Sequence, residues 1–119
     1  MLKTQSIFAF APLALTTLVS LVFATAGAAK ILGAEQAVLP FERMGLPFLA
    51  FAVGALEIVG AIGLFLPRVR QLAALGLSAT MVGAIIYHVT LAPDKAAVPA
   101  VVLLVLCATL AWIHRSQPA

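Results

Sequence analysis

Charge is what this sequence has least of. Lysine, arginine, aspartate and glutamate make up 9% of its 119 residues, against 64% hydrophobic residues. Soluble domains carry about 25% charged and 45–50% apolar residues. A soluble globule of this length could not cover its surface with so few charges, and the mean hydropathy of +1.18 points to one compact integral membrane unit, residues 1–119, in a lipid bilayer. The seven basic residues stand singly or in pairs at the ends of apolar runs. They form no patch, so no nucleic acid partner is expected.

Cysteine is almost missing too. Cys107 stands alone, so the chain cannot close a disulfide within itself and has no CxxC pair, which argues against a self-contained thiol–disulfide oxidoreductase. Its neighbours in VVLLVLCATLAW are apolar or small, the setting of an inert packed thiol. There is no HExxH, no glycine-rich phosphate loop and no Cys/His ligand spacing. His88 and His114 are expected on opposite sides of the membrane and cannot share an ion. No metal site is expected.

What is present is apolar length. Charges and prolines cut the chain into runs at about 7–29, 47–66, 71–91 and 96–113. A spanning helix needs about 17–25 residues. Backbone groups in lipid must be satisfied within the segment, so these runs are expected to be helices. The expected fold is all-α, a four-helix transmembrane bundle. The first run also has features of a secretory signal peptide, with Lys3 ahead of it and Ala26-Gly27-Ala28 as a small-residue cleavage site. Its length exceeds a usual signal core of about 7–15 residues, and the retained helix is the reading adopted.

The punctuation agrees. Pro47 suits the first turn of the second helix, Pro67 ends it, and the short PRVR link makes the second and third helices an antiparallel hairpin. Asp94 is placed to cap the last helix, with Pro99 in its first turn. The connection at about 31–46 is expected to lie on the membrane as an interfacial segment or to be a plain loop. Four spans put Lys3, Arg68, Arg70 and Arg115 on one side and Lys30, Arg43 and Lys95 on the other. By the rule that basic residues face the cytoplasm, both termini are expected there, in the inner membrane. Tyr87 and Trp112 are expected as interfacial anchors.

One acid interrupts an apolar run. In VGALEIVGAIGLFLP, Glu57 has Ala50, Val53, Ala61 and Leu64 within about 40° on a helical wheel, and Gly54 and Gly60 within about 60°. Small residues let another helix come close, so Gly54, Gly60 and Ala61 are read as packing positions and the Glu57 face as pointing into the bundle. An acid in mid-bilayer costs roughly 2.5–3.5 kcal/mol and marks a functional site by default. His88, near the outer end of the third helix, lies about 10 Å from Glu57 along the axis, too far for a direct hydrogen bond. Lys30 closes the first helix and can reach toward either. Lys30, Glu57 and His88 therefore form a candidate polar pocket for a headgroup, a quinone or a proton. The alternative is that Glu57 bonds a hydroxyl such as Thr17 or Ser20 and fixes the bundle.

The layout resembles the DoxX-like family of small membrane proteins. The likeness rests on AAKILG closing the first helix, GALEIVGAIGLFLPRVRQLAALGL through the next two and the following MVGAIIYH, and on Lys30, Glu57, Gly60, Pro67, Ala73, Met81 and His88 within them. It covers about residues 20–115. It implies a four-helix membrane bundle and makes Lys30, Glu57 and His88 one site. Some relatives are linked to thiosulfate:quinone oxidation, others to membrane complexes handling oxidative stress or to assembly of membrane proteins. Nothing in this chain resembles the soluble catalytic partner that oxidoreductase relatives need. The expected role is an accessory subunit of a quinone-linked or oxidative-stress membrane complex, without catalysis of its own, with quinone as the candidate cofactor. Its partners would be a membrane or soluble protein or a second copy in a homodimer. The rivals are an assembly protein without small-molecule activity and, behind it, a proton-coupled transporter.

Overall fold

A computed structural model describes residues 2–92 and 97–115, with side chains from Phe10 onward. Five helices follow one another, α1 Leu2–Ile31, α2 Glu35–Arg43, α3 Phe48–Gly63, α4 Arg70–Thr90 and α5 Val98–Ile113. The described residues contain no strand, and the fold is all-α. The Phe10–Ile31 part of α1 and the whole of α4 are long and apolar enough to cross a membrane.

Helices α3 and α5 are shorter than the apolar runs that contain them, at 16 residues each, or about 24 Å. The expected 47–66 helix ends at Gly63 instead. Phe65 N–H bonds Ile62 O and Leu66 N–H bonds Gly63 O, both at 3.0 Å, so the chain tightens into turns. Pro67 explains this, because the residue before a proline is pushed out of helical geometry. At the other end, Pro47 is the residue before the helix rather than its first. In α5, Pro99 does occupy the first turn, where a missing N–H costs nothing. Asp94, expected to cap that helix, and Lys95 lie outside the described residues.

The connection after α1 contains a helix rather than a plain loop. Gly33 and Gly45, with φ of 77° and 75°, are the left-handed residues that end α1 and α2. Each closes the same pair of bonds. Gly33 N–H bonds Lys30 O and Ala34 N–H bonds Ala29 O; Gly45 N–H bonds Glu42 O and Leu46 N–H bonds Phe41 O. A side chain at either glycine would resist that backbone. Between them α2 is amphipathic, buries no residue, and begins with Glu35 and ends with Arg43, the arrangement the helix dipole favours.

The long helices pair unevenly. α1 packs most closely on α3, and α4 on α5, while α3–α4 and α1–α5 contacts join the two pairs. The hairpin partners α3 and α4 are thus adjacent without being the tightest pair. Val19, Phe23, Leu64, Leu77, Cys107 and Leu110 fill the centre. Phe10, Phe48, Val59, Leu72, Val89 and Val105 all point outward. Helices apolar on both faces suit a lipid surround. Trp112 is exposed near the end of α5 with the Arg115 guanidinium 3.7 Å above its ring. Tyr87, expected as the second anchor, is instead buried, because its position on α4 turns it into the bundle.

Candidate functional site

The α3 face carrying Glu57 is set by spacing alone. Ala50, Gly54, Glu57 and Ala61 are buried at steps of four, three and four, which is one stripe of a helix. Ala50, Gly54 and Ala61 are small enough for α1 to lie directly on that stripe. Ser20 on α1 donates to the Ala61 carbonyl at 3.0 Å. Gly60 turns toward α4, where an added β-carbon would meet Leu77 at 2.8 Å.

Glu57 is ion-paired to Lys30, with Nζ to Oε1 at 2.7 Å; the carboxylate side chain is 1% exposed and the lysine 17%. Sequence context shows how the two meet. α1 ends in GAAK, residues 27–30, and α3 contains GALE, residues 54–57. The helices run antiparallel, so Gly27 lies opposite Glu57 and Gly54 opposite Lys30. A β-carbon on Gly27 would sit 3.3 Å from Glu57 Cβ, and one on Gly54 would sit 2.9 Å from Lys30 Cβ. Side chains lean toward the N-terminus of their own helix, so Lys30 and Glu57 lean toward each other across the two glycines. Each glycine provides the notch in which the opposite charged side chain starts. Sequence reasoning named Gly27 only within a small-residue cleavage site and not as a helix-packing position. The signal was there, as a glycine three residues before a charge on both helices.

The expected hydroxyl partners go elsewhere. Ser20 bonds Ala61 O, and Thr17 bonds Leu13 O one turn back on its own helix. Neither bonds Glu57, because Ser20 lies level with Ala61, about one turn along α3 from Glu57, and Thr17 is spent on its own helix.

His88 stands apart. It is half-buried, its Nδ1 is buried without a hydrogen-bond partner, and its ring meets Tyr87 edge-on at 5.5 Å. Among the described residues no ion pair links His88 to Glu57. The structure joins two of the three candidate residues in an ion pair, of which His88 is not a member. Nor is there a group of His, Cys, Asp and Glu among the described residues able to hold a metal.

A buried, paired charge between the first two long helices is the feature that a family comparison can weigh. The model of the DoxX-like family matches residues 14–110. The chain belongs to the DoxX-like family. The match spans both members of the ion pair and most of all four long helices, and it makes this DoxX-like chain a helical membrane protein. Neither a curated protein nor a solved structure matches it.

Proposed function

We propose that this DoxX-like protein is an accessory subunit of an inner-membrane complex, and that the Lys30–Glu57 pair is a strut fixing α1 against α3. The observation that carries this reading is the pair itself, a carboxylate 1% exposed and held at 2.7 Å by a lysine of another helix. A buried pair of this kind contributes little net stability but penalises every arrangement that separates its members. That suits a protein whose task is to present a fixed surface to a partner. All four long helices cross the bilayer, α3 with the apolar turn residues Leu64, Phe65 and Leu66 that extend it. Both termini face the cytoplasm, since Arg68, Arg70 and Arg115 collect at one end. The partner complex handles quinone-linked redox or oxidative stress, as the family resemblance implies.

A second reading has its own support in His88. A buried ring nitrogen without a partner is available to a ligand, and Lys30 is reachable from the outer end. There, Glu57 or His88, when protonated, would donate a hydrogen bond to a quinone carbonyl and pass a proton on.

Infrared difference spectroscopy separates the two. The carboxylate band of Glu57 would be assigned by its loss in Glu57→Gln, then followed with and without a short-chain quinone analogue. A strut predicts a band that ignores the analogue, in a protein that migrates in native membranes as part of a larger complex. A band that shifts with the analogue gives the site to quinone chemistry.

A further inference from the structure

We infer that the groove between α3 and α4 holds one chain of an anionic phospholipid, with the phosphate seated at the α3–α4 turn. The inference is independent of the ion pair. It rests on the shape of the groove, its depth and the charge at its mouth.

The groove encloses about 520 Å³. Its floor lies where α3 and α4 touch, at Gly60 against Leu77 and Gly63 against Ala73. Its rims are outward-facing side chains, Leu56 and Ile62 on one helix and Leu72 on the other. Gly76 also lines it, and a β-carbon there would meet nothing within 4 Å. The lining residues run from Leu56 to Gly63 on α3 and from Leu72 to Leu77 on α4, with Leu66 and Val69 in the turn between them. Those are about 10 Å and 8 Å of helix, with the turn beyond. Half of a hydrocarbon core of about 30 Å is the depth of one leaflet. The groove therefore takes the upper part of an acyl chain entering from the turn and stays within one leaflet.

The mouth selects a charge. Arg68 is exposed between the lining residues Leu66 and Val69 and, among the described residues, has no acidic partner. The N-terminus of α4 opens at the same place, with no side-chain cap and no acid in its first turn. Uncapped amides and a helix dipole favour an anion. Arg70 donates to the carbonyls of Leu64 and Phe65 just past the end of α3, which leaves Arg68 as the cation for a phosphate. A neutral quinone would use the apolar groove and ignore this mouth.

The test uses the full chain in vesicles, with phosphatidylglycerol and phosphatidylcholine spin-labelled in the upper part of one chain. Wild-type protein should restrict phosphatidylglycerol about fivefold more strongly than phosphatidylcholine, the preference expected of one arginine at a membrane surface. Arg68→Gln should bring the two lipids level. Gly76→Leu, which extends into open space, should release the restricted phosphatidylglycerol while helix content stays unchanged. Equal restriction of both lipids by the wild type would overturn the proposal, since only perimeter contact would then be present. So would a phosphatidylglycerol preference untouched by either variant. Disulfide cross-linking of two Gly76→Cys chains in a Cys107→Ser background would give the groove to a second copy and overturn it as well.

Discussion

Gly27 and Gly54 approach so closely that a β-carbon on Gly27 would lie 2.5 Å from the Gly54 carbonyl oxygen, and one on Gly54 2.7 Å from that of Gly27. Backbone meets backbone here, so nothing soft can yield. Gly54→Ala should therefore push α1 from α3 and cost about 1–3 kcal/mol, the usual range for overpacking. Gly60→Ala meets only the Leu77 side chain and should cost less. Gly83→Ala meets nothing within 4 Å and should be neutral or stabilising by up to about 1 kcal/mol, because alanine is the better helix former. Thermal unfolding of the three variants in one detergent gives the order. A Gly83→Ala loss equal to that of Gly54→Ala would show that helix contact is not the cause.

The two halves of the ion pair should not be equivalent. Lys30→Met leaves a carboxylate that is 1% exposed without its counter-charge, whereas Glu57→Gln leaves a lysine already 17% exposed at the end of its helix. That lysine can turn its ammonium toward the interface. Removing one partner of a buried pair costs about 3–5 kcal/mol, and Lys30→Met should approach this while Glu57→Gln falls short of it. The double variant should be more stable than Lys30→Met alone. A double-mutant cycle in denaturant checks this, and strictly additive losses would mean that the pair is not coupled.

The helical class and the inward face of Glu57 were legible because both follow from local rules. Apolar length dictates helices in lipid, and small residues at steps of three and four dictate a face. The partner of Glu57 was not legible, because it depends on the offset between two antiparallel helices. Reading Lys30 as free to reach Glu57 or His88 left that offset open, and a shift of one turn would have changed the outcome. The hydroxyl alternative failed for the same reason, since Ser20 lies level with Ala61 rather than Glu57. Helix ends near Pro67 were misplaced because hydropathy continues through Leu64, Phe65 and Leu66 after the helix has stopped. Tyr87 was assigned from its type, although its position on α4 decides its burial.

Arg70 ties the start of α4 to the end of α3. Its Nε donates to Leu64 O at 2.8 Å and its Nη2 to Phe65 O at 3.5 Å. These are carbonyls that a helix end leaves without intrahelical partners. A hydrogen bond from a charged donor contributes about 1.5–3 kcal/mol, so Arg70→Ala should lower stability by about that amount. Arg70→Lys should recover only part of it, because an ammonium lacks the fork that serves two acceptors at once. Full recovery in thermal unfolding would show that charge alone matters at this turn.

Cys107 gives an internal reading of how tightly the bundle closes. Its side chain is 0% exposed and packs in the same cluster as Val19, Phe23 and Leu110. A maleimide reaches it only when the bundle opens, so the labelling rate relative to the unfolded chain reports the free energy of opening. Each tenfold change corresponds to about 1.4 kcal/mol. The wild type should label slowly in mild detergent and fast after denaturation. If the α1–α3 contact holds the bundle shut, Gly54→Ala should speed labelling by about tenfold, in line with the lower half of its expected cost. Gly83→Ala should leave the rate unchanged or lower. Fast labelling of the native wild type would contradict the packed thiol, and an unchanged rate in Gly54→Ala would confine the damage of that variant to the end of α3 nearest Lys30.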